Sequence, residues 1–545
     1  MFFLKGKLTD TPEEVLNWRL WYGVFVFGLM GAARGLDEGL IGTTVTQVSF
    51  RKRYGLDSPN LDEHAKANLE GNITAMVQLG SILGALIGFY LTDKLGRLKA
   101  TIELCFLWVL GMSIFMASAP TGNLSMVYAG RFIAGIGIGQ TTIVAPTYLA
   151  ETAPRAVRGF CVCMFAGCVY LGIMLSYFAS WGASIHISGN TQTQWLVPNS
   201  MHIMFAGIIL LLSSFALESP RWLIKVGNHE KGAANLSKLR NLPVDHPYVQ
   251  SEIIDINGEL NREREATMGA SKLGIVKELL FIPANRYRIM LSVLSQILAQ
   301  WSGANSITIY APRYFAMLGQ TGEHEKLFAT AIFGVVKFVS AIICAAFLID
   351  FIGRKRALYI GISLQAFSML YMALFLVIDK TVEDDSIVQS PSQKKAATAA
   401  IVMIYLSGFG WAMGWNSVQY LINSEIYPLR LRAIGGSIAM TVHFANQYGN
   451  SKAVPSMFLD LTTYGTMFFF VAMTFIGLVW VWAFIPELSG RSLEAVDAIF
   501  DLPWYKIGRF GGSVESNTVS EMIEHGDDVK ATVTRLEETV HTEKA

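Results

Sequence analysis

Arg34, Asp37 and Glu38 fall within one short stretch, GAARGLDEGLIGT, between runs that are almost wholly uncharged. Lys337 stands well inside IFGVVKFVSAIICAAFLID, and Arg131 opens GRFIAGIGIG. An ionisable side chain deep in an apolar span costs roughly 2.5–3.5 kcal/mol or more, which makes each of these a functional candidate. A carboxylate in such a place can take up and release a proton; a cation can hold an anion. Two further segments are unusually polar. QILAQWSGANSITIYAP carries Gln296, Gln300 and Asn305, followed by Tyr310, and a later run carries His443, Asn446, Gln447 and Lys452. Gln296 and Gln300 are four apart and share a helix face, as do Arg34 and Asp37 at a spacing of three. Plainer readings compete. Arg34 as a local partner of Asp37 or Glu38 is one, and His443 as a neutral imidazole bonded to a backbone carbonyl is another.

The elements that hold these residues are legible in the composition. The chain has 545 residues, 52% of them hydrophobic and 16% charged, against about 25% charged in soluble proteins. Apolar runs of about 20 residues recur along its length, enough for a helix to cross a hydrocarbon core of roughly 30 Å. The expected class is all-α and membrane-spanning. About twelve spans are expected, near 18–45, 72–91, 100–119, 125–150, 158–183, 199–217, 286–317, 326–349, 356–378, 397–424, 430–460 and 464–486. They divide the chain into an N-terminal segment (1–17), a first six-helix half (18–217), a polar linker with short amphipathic helices (218–285), a second half (286–486) and a polar tail (487–545).

The net charge of +1 and the lack of a basic tract give no reason to expect nucleic acid. The five cysteines lack metal-ligand spacing and read as packing residues. No nucleophile, metal or cofactor constellation is visible, so neither an enzyme nor a cofactor is expected. Lys and Arg cluster in DKLGRLK, ETAPRAVRG, DFIGRKR and YPLRLR, which fall on one side if the spans alternate; that side, with both termini and the linker, should be cytoplasmic. RKRY at 51–54 dissents, being placed outside. DKLGRLK after the second span echoes DFIGRKR after the eighth, and PTYLAETAPRAVRG echoes INSEIYPLRLRAIGG, the mark of an internal repeat. Gly135, Gly137 and Gly139 could be mistaken for a nucleotide loop, but no strand precedes them and close helix packing is expected.

Read together, GRFIAGIGIG, PTYLAETAPRAVRG, ESPRWL, QILAQWSGANSITIYAP, DFIGRKR, SEIYPLRLR and PELSGRSLE resemble, in order, the motifs of the sugar porters of the major facilitator superfamily, in a fungal style. The resemblance covers nearly the whole chain and implies the twelve-helix fold in two halves, alternating access and a monomer. It implies that Asp37 carries a transported proton and that Arg131 pairs with it; a permanent structural salt bridge is the alternative. A carboxyl in a partly dry cavity is pulled towards the neutral acid by desolvation and towards the anion by a guanidinium. The resemblance also implies that Asp93, Arg97, Glu151 and Arg158 in one half, Asp350, Arg354, Glu425 and Arg432 in the other, and the further acids Glu218 and Glu487 form cytoplasmic ion pairs that gate the cycle. Incidental pairing is the alternative. It assigns Gln300 and Asn305 to sugar hydroxyls and Tyr420 to the position of a substrate-stacking tryptophan.

The chain departs from that pattern in one direction. Ala299, Ala166 and Ile173 stand where hexose porters place glutamines, while Arg34 and Lys337 stand where an aromatic and an uncharged residue are expected. Amides that read neutral hydroxyls are lost and positive charge is gained. Charge-assisted hydrogen bonds are roughly twice as strong as neutral ones, so a carboxylate substrate gains most from the change. The expected function is a plasma-membrane proton symporter importing a sugar acid of the galacturonate or quinate kind. Arg34, Gln296, Gln300, Asn305, Lys337, Tyr420, His443 and Gln447 are the expected substrate contacts. The alternatives are a proton symporter for neutral monosaccharides, a passive facilitator and a non-transporting sugar sensor.

Overall fold

A computed structural model describes residues 12–154, 156–267, 272–320, 322–344, 352–379, 390–416, 426–427, 429–486, 499–500 and 507–508. Among the described residues the regular structure is helical, with no strand. The first half comprises α1 (Trp18–Thr44), the short α2 (Val48–Tyr54), α3 (Glu63–Leu95), α4 (Arg97–Ala117), α5 (Leu124–Thr152), α6 (Arg158–His186) and α7 (Thr193–Ser213). Four linker helices follow: α8 (Pro220–Lys225), α9 (His229–Arg240), α10 (Pro247–Thr267) and α11 (Lys272–Phe281). In the second half the seventh span is broken into α12 (Pro283–Trp301), α13 (Ala304–Ile309) and α14 (Ala311–Met317). Then come α15 (Glu323–Ile343), α16 (Arg354–Ile378), α17 (Pro391–Trp411) with a π-turn at its end, α18 (Leu429–Asp460) and α19 (Thr462–Phe484).

Nine helices among the described residues are long and apolar enough to cross a membrane. The three spans outside that set are α1, the broken seventh and α18, which carry most of the polar residues singled out in the sequence; Arg131 and Lys337 lie on the apolar α5 and α15. Side chains on the outer surface are apolar, as lipid contact requires: Phe106, Leu211 and Val479 are each more than 60% exposed.

With no water to expel between lipid-embedded helices, close packing of small residues drives their association. Gly80 and Gly84 of α3 abut the carbonyls of Phe132 and Ile136 in α5, and Gly135 and Gly139 return the contact on Val77 and Ser81. Gly31, Gly35 and Gly39 place one face of α1 directly on α6, at Phe165, Val169 and Ser176. That packing turns Arg34, Asp37 and Glu38 away from α6.

The repeat seen in the sequence recurs in the backbone. Gly96 in DKLGRLK (φ +89°) and Gly353 in DFIGRKR (φ +92°) both adopt a conformation favourable only to glycine and both precede the first residue of a helix. Several spans differ from their expected bounds. The second is longer than 72–91, and the sixth lies six residues earlier at its start than 199–217. The seventh is not continuous over 286–317: Gly303, at φ +86°, breaks it. The carbonyls freed there are caught by side chains, Ser302 O by Gln365 Nε2 (2.9 Å) and Thr474 Oγ1 (3.3 Å), and Gln300 O by Asn450 Nδ2 (3.1 Å). The dissenting RKRY lies in α2, where Arg51 pairs with Asp57 and Arg53 donates to the carbonyls of Ala119 and Pro120 at the end of α4. Its charge is spent on a local cap. Cys163 is exposed, unlike the buried Cys105, Cys161 and Cys344.

At the face opposite the linker the two halves touch. Tyr177 Oη donates to Thr308 O (2.5 Å), Gln194 Nε2 to Glu323 Oε1 (3.2 Å), and Gly42 meets the carbonyl of Ile309.

Candidate substrate and proton site

Asp37 Oδ1 lies 3.2 Å from Arg131 Nη2, with the two side chains 2% and 1% exposed. Arg131 is fixed from α3, donating through Nε to Ile73 O (2.8 Å) and through Nη2 to Thr74 O (3.4 Å). The pair is incompletely satisfied: Asp37 Oδ1 receives no well-aligned hydrogen bond and Arg131 Nη1 has no acceptor. Two buried charges hold each other strongly in a medium of low dielectric, and removing one strands the other.

Arg34 turns to a different partner. Its Nε donates to Glu38 Oε1 at 2.8 Å, one helical turn along α1. Its Nη2 reaches His443 Nε2 at 2.8 Å, and its guanidinium lies over the ring of Phe444. Glu38 Oε1 also accepts from Gln447 Nε2 (2.9 Å), which sits 3.3 Å from Asn305 Oδ1. His443 Nδ1 is 2.8 Å from Gln296 Oε1 and 3.2 Å from Gln300 Nε2. An arginine can only donate. Nε2 of His443 is therefore the acceptor, Nδ1 carries the proton that goes to Gln296, and the imidazole is neutral. That is the plainer reading of His443 with a different acceptor, a side-chain amide in place of a backbone carbonyl.

Lys337, 3% exposed, donates to Thr308 Oγ1 at 2.6 Å, with Tyr170 and Phe333 at 5.3 and 5.4 Å from its ammonium. Tyr170 is itself held by Trp411 Nε1 (2.9 Å). Thr308 and Asn305 are three apart on α13, so the lysine and the amide cluster share a wall. Among the described residues no carboxylate lies within ion-pair distance of Lys337. Three amide atoms in the same wall, Gln296 Nε2, Gln300 Oε1 and Asn305 Nδ2, are buried without a hydrogen-bond partner among the described residues. A small cleft between the halves is lined by Arg34, Asp37, Glu38, Gln78, Phe444 and Gln447.

The structure thus brings Arg34, Gln296, Gln300, Asn305, His443 and Gln447 into one network, with Lys337 beside it. Tyr420, Asp350, Glu425 and Glu487 lie outside the described residues, as do the side chains of Arg354 and Arg432. Glu38, Thr308 and Tyr170 belong to the site and were not assigned to it from the sequence. Glu38 alone carried a signal, its four-residue spacing from Arg34.

On the linker side, Arg97 is buried and donates to Glu151 Oε1 (2.6 Å) and Thr92 O (3.0 Å), with Asp93 at 3.5 Å. Glu218 accepts from the backbone N–H groups of Arg97 and Leu98 (3.0 and 3.1 Å), capping α4. Ser219 Oγ donates to Glu151, and Lys225 pairs with Asp93 (3.0 Å). Arg158 stands exposed at the start of α6. The linker is anchored to the first half by Arg240, which donates to Thr152 O and pairs with Glu252 (2.7 Å), and by Asn17 Nδ2 to Leu239 O.

Residues 23–500 match the family model described as sugar (and other) transporter. A quinate permease of Neurospora terricola is 31% identical over 499 residues, covering 90% of each chain. A quinate permease of Emericella nidulans is 30% identical over 494 residues, again covering 90% of each. The proton:xylose symporter XylE bound to 6-bromo-6-deoxy-D-glucose superposes with a TM-score of 0.71 at 23% identity, covering 88% of this chain and 99% of that one, which supports the twelve-helix fold. The chain belongs to the sugar transporter family, the sugar porters of the major facilitator superfamily.

Proposed function

We propose that this transporter is a proton-coupled symporter that imports a hydroxylated carboxylic acid, quinate-like or galacturonate-like, by alternating access across the plasma membrane. The carrying observation is Lys337: a buried ammonium that, among the described residues, touches one hydroxyl and two ring faces and has no carboxylate within ion-pair distance. A buried charge without an opposite charge is costly, and a substrate carboxylate supplies one. The orphaned amide atoms of Gln296, Gln300 and Asn305 suit the substrate's hydroxyls. The quinate permeases among its relatives point to the same chemistry.

Asp37 is the proton carrier in this reading. Deprotonated, it holds Arg131; protonated, it lets go, and α1 is free to move against α3 and α5. The linker side is cytoplasmic, and the buried Arg97–Glu151 pair together with the more exposed pairs beside it, such as Lys225–Asp93, biases the conformational equilibrium; an exposed pair alone contributes only about 0–1 kcal/mol. The rival substrate, a neutral monosaccharide, is favoured by those same orphaned amides and by the satisfaction of Arg34 within the protein. Competition of quinate, galacturonate, xylose and glucose against labelled quinate, in a host lacking its own carriers, separates the two. Saturable quinate uptake inhibited by the acids and not by the sugars supports the reading; no uptake of labelled quinate alongside uptake of labelled xylose or glucose refutes it.

A further inference from the structure

Away from the cleft, α4 carries an acid that the transport mechanism does not use. Glu103 stands six residues into α4, roughly 9 Å along the helix from its linker-side end. Its neighbours Ile102 and Phe106 are exposed on the outer, lipid-facing surface, while Glu103 is half-buried and turned to α5. There Gln140, wholly buried, donates from Nε2 to Glu103 Oε1 at 3.2 Å. The other two atoms of the same two planar groups, Glu103 Oε2 and Gln140 Oε1, are buried without a hydrogen-bond partner among the described residues. Both are oxygens, and a carboxylate oxygen and an amide carbonyl can only accept. A proton on Oε2 makes that oxygen a donor, with Gln140 Oε1 as its acceptor. Acid and amide then form a cyclic pair of two hydrogen bonds, and both orphaned atoms are satisfied together.

The surroundings favour the neutral acid. Gly137, one turn before Gln140, lies against the carbonyl of Leu104 and the backbone nitrogen of Trp108, so α4 and α5 touch beside the pair and leave little room for water. Arg97 pairs with Glu151, Arg131 with Asp37, and His202 of α7 accepts from Trp108 (3.2 Å). Lys94 and Lys99 are exposed at the linker end. Among the described residues no cation lies within ion-pair distance of Glu103. A lone carboxylate at this depth is costly, whereas a protonated one with both bonds made is not. We propose that Glu103 holds its proton and clasps α4 to α5 through Gln140, a proton-bearing carboxyl separate from the Asp37–Arg131 pair and a modification site for apolar carbodiimides. In that modification the carboxyl proton passes to one carbodiimide nitrogen and the carboxyl oxygen bonds to the central carbon. The acyl group then moves to the other nitrogen as its bond to that oxygen breaks, leaving a stable N-acylurea with nothing oxidised or reduced.

The test treats the purified full-length protein in lipid nanodiscs, at neutral pH, with dicyclohexylcarbodiimide or with a water-soluble carbodiimide, and maps the adducts by mass spectrometry. Dicyclohexylcarbodiimide should modify Glu103, and the water-soluble reagent should leave it unmodified. Lys99→Gln should not change that labelling; a marked rise would make Glu103 the ionised partner of Lys99 and overturn the inference. Infrared spectroscopy reads the proton without any reagent. The carbonyl stretch of a protonated carboxyl should be present in wild type, kept in Asp37→Asn and lost in Glu103→Gln. No labelling of Glu103, or a band unchanged by Glu103→Gln, overturns the inference. Glu103→Gln can keep both hydrogen bonds as an amide pair, so its melting temperature and uptake should match wild type, while Gln140→Leu should melt lower. Gln140→Leu that melts like wild type overturns the clasp. Labelling of wild type needs no variant, so a poorly folded Glu103→Gln leaves the test standing. None of these readouts depends on the substrate, so the sugar-acid reading stands or falls separately.

Discussion

Asp37 and Glu38 are neighbours in sequence and lead separate lives in the fold. Successive residues on a helix point about 100° apart, so Asp37 meets Arg131 within the first half while Glu38 faces α18 in the second. Spacing alone offered Arg34 two partners, at i+3 and i+4; the nearness of Arg131 to Asp37 leaves Glu38 as the one that takes it. What the sequence could not reveal was the other end of each contact. His443 and Gln447 were visible as polar residues in an apolar span, yet their pairing with α1 depends on how two distant helices lie together. Asp37→Asn should abolish accumulation of substrate against a gradient while leaving exchange of labelled for unlabelled substrate measurable, since the variant mimics the protonated state. Loss of exchange together with accumulation would make the Asp37–Arg131 pair a structural salt bridge. Lys337→Gln should weaken acid binding by about tenfold or more, because a hydrogen bond to a charged group contributes about 1.5–3 kcal/mol, with neutral-sugar binding little changed. Isothermal titration of both ligand types reads the difference.

Most of the site stands on the helices least suited to a membrane, α1, the broken seventh and α18, and the packing around them compensates. On α1 the glycines every fourth position bury one side of the helix against α6. A methyl group at Gly35 would run into the carbonyl of Val169. Gly35→Ala should therefore lower stability by about 1–3 kcal/mol, seen as a lower melting temperature of the purified protein and weaker binding. The seventh span is broken so that Gln300, Asn305 and Thr308 reach the cleft, and Gln365, Asn450 and Thr474 hold the loose carbonyls. This span was expected at 286–317 although it is less apolar than its neighbours. Its break was not, although Gly303 lies at the site of it, because an isolated glycine marks a helix break only when other side chains stand ready to donate hydrogen bonds to the freed carbonyls. On α4, Glu218 provides the N-terminal cap from the linker. Glu218→Ala should cost about 0.5–2 kcal/mol and loosen the linker side, which hydrogen exchange at Arg97 and Leu98 would report.

Across the whole molecule, two halves meet at the face away from the linker and share one polar centre. The helical membrane class and the repeated glycine turns were readable because lipid imposes length and apolarity on most crossing segments. The closure between α1, α6 and the seventh span was not, since it depends on close approach of backbones such as Gly42 to Ile309. Alternating access requires that contact to open. Joining Gln194→Cys to Glu323→Cys, whose native side chains meet across the halves at this face, with a short reducible thiol cross-linker should stop uptake and restore it on reduction; uptake that survives complete cross-linking would exclude opening at this face. The central claim, proton-driven import of a sugar acid, is tested most directly in proteoliposomes with an imposed pH gradient, acid outside. Labelled quinate or galacturonate should accumulate above its external concentration, collapse on adding a protonophore, and outcompete xylose. Equal internal and external concentrations whatever the gradient, or accumulation of xylose in preference to both acids, would contradict it.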